Sequence, residues 1–204
     1  MKGLLIKDFK MIKKIGIIVI LISALFFAIS ILSESSLNFS YYSILLLSAF
    51  TINIMGYDEQ ANWNKYETIL PISKTKIVFE KYLLILIMIT PAIMIENLIL
   101  YFNKSINASE IFDWSSSMLL LGIIIPCVIL PIIFKVGYLK SRIFKLILIG
   151  LTAAIMVTIT PIISQYTQTN WIEKLDSSIF IVIAIILLIA SFGLSVVLYK
   201  KREF

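Results

Sequence analysis

Apolar blocks alternate with short polar segments along the whole chain, and each block is about 20 residues long, which is the length that a membrane-spanning helix needs. A helix rises about 1.5 Å per residue, so such a block crosses a hydrocarbon core of roughly 30 Å. The bilayer cannot satisfy an open backbone, which favours helices over irregular segments. The pattern predicts an all-α integral membrane protein forming one transmembrane domain over 1–204. Its six predicted spans are 15–33, 39–57, 82–103, 115–134, 144–163 and 178–199.

The basic residues are divided unequally between the segments that separate these blocks. Of the 18 Lys and Arg residues, all except Lys104 and Lys174 fall on one side of a six-span arrangement. Lys and Arg accumulate on the cytoplasmic side of membrane proteins. The distribution therefore predicts that both termini are cytoplasmic. The formal net charge of +6 then reflects this orientation and the anionic lipid beside it, rather than nucleic-acid binding.

The composition excludes an ordinary soluble domain and several kinds of chemistry. Hydrophobic residues make up 60% of the chain and charged residues only 15%, whereas soluble domains are about half apolar and a quarter charged. The chain has no His and a single Cys, Cys127, inside an apolar block. An intrachain disulfide is therefore impossible, no metal site is predicted, and the usual general base is missing.

The segment before the first apolar block, 1–14, combines an apolar stripe with five lysines. The four residues that can share one helical face are Leu4, Leu5, Phe9 and Ile12. Such a helix would lie in the cytoplasmic membrane interface, with this face as its anchor and its lysines at the headgroups. The alternative is a basic tail that only sets the topology.

The connection between the second and third blocks, 58–81, is much longer than a turn between antiparallel helices requires. Asp58 and Glu59 supply negative charge, which favours a helix N-terminus. Pro71 disfavours helical geometry at the preceding residue, and Ser73 can cap the next helix. We therefore expect a cytoplasmic helix over 58–70, a stop, and a restart into the third span.

Three residues of this segment, Trp63, Tyr66 and Leu70, recur at intervals of three and four and form an exposed apolar stripe. A short amphipathic helix of this kind can dock on a partner. The stripe can equally pack on the ends of the protein's own spans or dip into the headgroups.

The same segment resembles the cytoplasmic segment of small ABC-2 type permeases. The resemblance rests on Asp58-Glu59, Trp63, Tyr66, Leu70-Pro71, Ser73, Val78 and Lys81-Tyr82, and on the opening Met1-Lys2-Gly3-Leu4-Leu5-Ile6-Lys7-Asp8. It implies the membrane subunit of an ATP-driven exporter in the bacterial cell membrane. Two ABC ATPase subunits, which bind ATP and Mg, would dock on this coupling segment, and a second, identical or related permease subunit would complete a dimer.

The resemblance also implies which residues meet the ATPase and what is moved. The expected contact residues are Asp58, Glu59, Trp63, Tyr66, Glu67 and Leu70. Small bacterial relatives export amphipathic or antimicrobial peptides or protect their host from bacteriocins, so immunity or sensing is an alternative role. The chain agrees on one point: its seven glycines provide no G-x-x-x-x-G-K-[ST] phosphate loop. We therefore expect a transport subunit that is not an enzyme and binds no cofactor itself.

One carboxylate, Glu96, lies well inside an apolar block, followed by Asn97. A charged group within a membrane costs a few kcal/mol and usually faces protein or water. Both residues are candidates for the translocation path. Glu96 can alternatively reach the outer surface or be protonated, and a secondary transporter or channel that uses Glu96 is the rival function.

Overall fold

The computed structural model describes residues 2–32, 36–102, 108–166 and 178–202, and these are helical apart from short turns. No strand occurs among them, which confirms the all-α class. The helices are α1 (Lys2–Ile15), α2 (Ile17–Leu32), α3 (Ser36–Gln60), α4 (Trp63–Ile69), α5 (Lys74–Phe102), α6 (Ala108–Val136), α7 (Tyr138–Tyr166) and α8 (Ser178–Lys200).

Three helices in the described residues are long and apolar enough to cross a membrane. They are α5 over Lys74–Tyr101, α6 over Ile111–Val136 and α8 over Ser178–Lys200. Helices α1 and α2 meet the same test only as a pair, bent by 68° between them. Three or four spans are therefore supported, at places where the sequence predicts spans. The count of six and the cytoplasmic termini stay predictions, and Lys104 and Lys174 lie outside the described residues.

The bend between α1 and α2 occurs at Gly16, where no side chain fits. A Cβ atom there would lie 2.7 Å from the carbonyl oxygen of Ile12 and 2.7 Å from the ring of Phe50 on α3. The backbone hydrogen bond from Gly16 to Ile12 is kept at 2.7 Å. Glycine thus lets the chain turn sharply while α1 stays close to α3.

Part of the apolar face of helix α1 packs against other helices of the chain. Leu4 and Ile12 are buried, and Ile12 packs in a cluster with Phe50. Leu5 is half-buried, whereas Phe9 is 44% exposed. Other helices of the chain thus cover Leu4 and Ile12, whereas Phe9 is exposed. The role of these residues as an anchor in the membrane interface stays a prediction.

Helix α6 lies at the centre of the helical packing and contacts α3, α5, α7 and α8. Gly122 allows a close approach, since a Cβ there would lie 2.9 Å from Ile44 of α3 and 3.1 Å from Ile89 of α5. The hydroxyl of Ser48 donates to the carbonyl oxygen of Gly122 at 2.7 Å. This packing holds α3 and α5 side by side, and their ends carry the site described below.

The long connection does not form the predicted helix over 58–70. Helix α3 continues to Gln60, so Asp58 and Glu59 occupy its last turn instead of starting a new helix. Asn62 adopts the left-handed conformation, with φ of 55°, which Asn tolerates better than most residues. The chain then turns into the seven-residue α4, and α5 begins at Lys74, directly after Ser73, as expected.

Candidate functional site

Five charged side chains from three helices meet where α1 crosses the end of α3 and the start of α5. They are Lys7 and Asp8 of α1, Asp58 of α3, and Glu80 and Lys81 of α5. We call these five residues the charge cluster. With every group ionised it holds three carboxylates and two ammonium groups.

Lys81 is the centre of the charge cluster. Its ammonium lies 2.6 Å from Asp8, 3.2 Å from Asp58 and 3.3 Å from Glu80. Its side chain is only 7% exposed. Buried charges are tolerated when they are paired and hydrogen-bonded. Lys81 therefore fixes α1, α3 and α5 to one another at a single point.

Lys7 makes the second set of contacts and extends them to α4. Its ammonium lies 2.7 Å from both carboxylate oxygens of Asp58 and 3.0 Å from Asp8. It also lies 4.7 Å from the centre of the Trp63 ring, in the range of a cation–π contact. The first turn of α4 is thus attached to the charge cluster through Trp63.

Glu67, one turn further along α4, also faces inward. It is 3% exposed, and burial raises the pKa of its carboxyl, although the nearby ammonium groups of Lys81 and Lys7 oppose this. A small cavity of about 20 Å³ is lined by Glu67, Asp58 and Lys81 together with apolar side chains. The inner side of α4 is therefore built against the cluster.

The outer side of α4 is apolar and open. Tyr66 is 55% exposed and Ile69 is 80% exposed. The Tyr66 ring packs on Trp63, with 5.3 Å between the ring centres. Leu70 ends the helix in an extended conformation and is half-buried. The outer side thus presents a small apolar surface, the α4 surface, made of Tyr66 and Ile69.

The structure separates the six residues expected to contact an ATPase. Asp58 and Glu67 are buried inside the chain, and their predicted contact with an ATPase stays a prediction. Trp63 joins the helix to Lys7, and Tyr66 faces outward. Ile69, the most exposed of the residues involved, was not predicted: it also follows Tyr66 by three residues, but the predicted stripe continued to Leu70 instead.

Glu59 makes a contact within the chain that the sequence did not predict. Its carboxylate accepts hydrogen bonds from the backbone amides of Tyr138 and, at 3.4 Å, Leu139. These amides begin α7, where a negative charge is favourable. The preceding Gly137 has φ of +95°, and a Cβ there would lie 2.7 Å from Glu59. Glu59 therefore ties the end of α3 to the start of α7.

The residues at and just after the end of α8 also contact this region. The ammonium of Lys74 donates to the carbonyl oxygens of Lys200, at 3.3 Å, and Arg202, at 3.2 Å. Arg202 in turn donates to the carbonyl of Ile133 at 3.3 Å. Helices α5, α6 and α8 are thereby linked near α4.

The proposed path residues lie apart from the charge cluster, further along α5. Glu96 is 1% exposed, and neither of its carboxylate oxygens has a hydrogen-bond partner among the described residues. The side-chain oxygen of Asn97 accepts from Ser115 of α6 at 2.7 Å. Their role in a path stays a prediction. The described part of the chain contains no set of side chains able to hold a metal ion.

The sequence alone did not predict that the five residues of the charge cluster lie together. Lys7, Asp8 and Lys81 belong to the pattern shared with the permeases, but nothing along the chain indicates that they meet. The one available signal was Asp8, a carboxylate on the same helical face as Leu4 and Ile12, which needs a partner when that face is buried.

Long apolar helices packed around α6, with charged groups concentrated at one end, define a multi-pass membrane protein. A sequence model described as "ABC-2 family transporter protein" matches residues 3–200. The chain therefore belongs to this family of transporter permeases, whose members are membrane subunits that generally pair with an ABC ATPase and lack their own. No curated protein and no solved structure matches the chain.

Proposed function

We propose that this chain is the permease subunit of an ATP-driven exporter and that a separate ABC ATPase docks on the α4 surface. The observation that carries the proposal is the division of α4 between two sides. Tyr66 and Ile69 are open to a partner, while Trp63 and Glu67 face the charge cluster. Membership of the ABC-2 family supports an ATPase as that partner.

The charge cluster provides the route by which movement of α4 reaches the membrane. Lys7 contacts Trp63 on one side and Asp58 on the other, and Lys81 joins Asp58 to Asp8. Buried ion pairs are expensive to separate, because each charge left alone has lost its hydration. A push on α4 would therefore move α1, α3 and α5 together rather than break the contacts between them.

The remaining parts of the proposal follow from the family. The transporter contains two ATPase copies, which bind ATP and Mg, and two permease subunits, identical or related, in the bacterial cell membrane. The substrate is an amphipathic or antimicrobial peptide, a class that the resemblance alone suggests.

Co-purification tests the docking. The permease, tagged and co-expressed with the ATPase encoded beside it, is compared with Tyr66→Ala/Ile69→Ala. Interface anchors commonly contribute about 2 kcal/mol each, so the double variant should bind at least about 30-fold more weakly, and about 800-fold more weakly if the two losses add. The control is Ile143→Ala, because Ile143 is 66% exposed but lies on α7.

Loss of ATPase from the double variant, with retention by Ile143→Ala, supports the proposal. Equal retention by all three proteins would show that the ATPase docks elsewhere. Trp63 is left unchanged, because its contact with Lys7 would mix an effect on folding with an effect on docking.

A secondary transporter or channel is the second candidate, favoured by the burial of Glu96 within α5. Such a protein would move its substrate without an ATPase. Export that persists without ATP and stops in Glu96→Gln would favour it. Normal export by Glu96→Gln would remove Glu96 from any transport mechanism.

A further inference from the structure

Two grooves adjoin each other along α3, on the side facing α2 and α7. The first, of about 320 Å³, is lined by polar groups, among them Asn53, Tyr138, Arg142 and Lys145. The second, of about 390 Å³, is lined almost entirely by apolar side chains, including Val19, Phe26, Leu45, Ala49 and Ile149. Asn53 lines both, so the two grooves form one continuous surface with a polar end and an apolar end.

The polar end carries positive charge that no carboxylate among the described residues pairs with. Lys145 is buried, and its ammonium donates to the hydroxyl of Tyr138 at 2.8 Å and to the side-chain oxygen of Asn53. The Tyr138 hydroxyl donates to the same Asn53 oxygen at 2.7 Å. These partners are neutral, and an ammonium has a third donor.

Arg142 adds a second cation beside Lys145, and it is exposed to the groove. Among the described residues, neither cation forms an ion pair with a carboxylate. The carboxylate of Glu59 is engaged by the backbone amides at the start of α7. A buried ammonium without a counter-charge is costly, so the polar end is suited to an anion.

The apolar end is long enough to hold an acyl chain. From Asn53 to Tyr42, the groove-lining residue furthest along α3, is about 16 Å at 1.5 Å per residue. Half of a hydrocarbon core of roughly 30 Å is about 15 Å. The polar end then falls at the cytoplasmic edge, where the sequence predicts the basic connection containing Arg142.

We propose that the two grooves together bind one membrane phospholipid, with its phosphate between Arg142 and Lys145 and an acyl chain along the apolar end. A free phosphate would use the polar end alone and leave the apolar groove unexplained. Net negative headgroups are favoured over zwitterionic ones, because two cations face the phosphate. This site is separate from the α4 surface, so the inference does not depend on ATPase docking.

Native mass spectrometry of the purified permease, titrated in detergent with phosphatidylglycerol or phosphatidylcholine, measures the lipid bound per chain. One cation near a membrane surface contributes a factor of about five in binding, so Arg142→Gln should weaken phosphatidylglycerol binding about fivefold. Lys145→Gln should weaken it further, because Lys145 is buried. The matched control is Lys140→Gln, since Lys140 is exposed on the same helix and does not line the groove.

A second variant, Ala49→Phe, fills the apolar end without changing charge. It should reduce phosphatidylglycerol binding and leave the charge of the polar end intact. Arg142 is exposed, so its variant is expected to fold even if Lys145→Gln does not. Lipid binding is compared only among variants that elute as a single symmetric peak in size-exclusion chromatography.

Three results would overturn the proposal. Equal phosphatidylglycerol binding by the wild type and Arg142→Gln would exclude a role for the cations. An equal loss in Lys140→Gln would indicate unspecific surface charge. Inorganic phosphate that displaces the bound lipid, together with no effect of Ala49→Phe, would assign the polar end to a free anion instead.

Discussion

Replacing Lys81 with Met would remove the central cation of the charge cluster and keep a side chain of similar length. The carboxylates of Asp8, Asp58 and Glu80 would then be left with Lys7 as their one remaining cation in the cluster. Removing one partner of a buried ion pair costs about 3–5 kcal/mol. Total stabilities of proteins are about 5–15 kcal/mol, so this change removes a large share of the free energy of unfolding.

A double-mutant cycle separates the ion pair from other effects of the substitution. Asp8→Asn removes the carboxylate that lies 2.6 Å from Lys81. If the two side chains stabilise each other, Lys81→Met/Asp8→Asn should be less destabilised than the sum of the single variants. Coupling between residues in contact is about 0.5–3 kcal/mol, and the short, buried contact places this pair towards the upper end.

Denaturant unfolding in detergent, followed by circular dichroism, provides the free energies. Lys140→Met is the control, because Lys140 is exposed and surface changes usually stay within about 0.5 kcal/mol. The reasoning is refuted if Lys81→Met costs less than about 1 kcal/mol. It is also refuted if the losses in the double variant simply add.

Three further predictions concern single residues around this site. Gly16→Ala should destabilise the protein by about 1–3 kcal/mol, because its Cβ meets the ring of Phe50; Gly193→Ala, which lies inside α8 and meets nothing within 4 Å, should leave the stability unchanged or raise it by up to about 1 kcal/mol in the same melting assay, because Ala favours a helix more than Gly. Gly137→Ala should cost about 1–3 kcal/mol through its positive φ, and an unchanged melting temperature would contradict this. Burial raises the pKa of Glu67 above 4.5, so the folded state holds this proton more tightly than the unfolded state, and stability falls as pH rises through the folded pKa. Glu67→Gln should therefore lose less stability than the wild type as the pH rises above 4.5, and equal slopes would refute the assignment.

The sequence was sufficient to predict helices, membrane character and the ABC-2 family, but not how α1 is used. Its apolar residues Leu4 and Ile12 suit a lipid interface and a protein interior equally, because both surroundings are apolar. Periodicity therefore identifies the apolar face, but it does not show whether lipid or protein covers that face. The carboxylate of Asp8 on that same face distinguishes the two, since it is buried only where a cation such as Lys81 can reach it.

The end of α3 shows that the order of charged residues along the chain does not by itself locate the ends of helices. Asp58 and Glu59 resemble the start of a helix, because acidic residues favour helix N-termini. Asp58 instead ends α3, where its ion pairs with Lys7 and Lys81 supply the stabilisation. The contacts between helices that decide this are absent from any local pattern.

The position of Asp8 also determines when α1 can pack against the other helices during synthesis. Asp8 precedes its partner Lys81 by 73 residues, which at about 5–20 residues per second corresponds to roughly 4–15 s of synthesis. During that interval α1 and α2 can insert, but the carboxylate of Asp8 has no reason to leave water. Burial of α1 therefore waits until α5 has been made. Helix α1 is made before α5 yet reaches its final place only after it, and a chain that stops before Lys81 keeps α1 undocked.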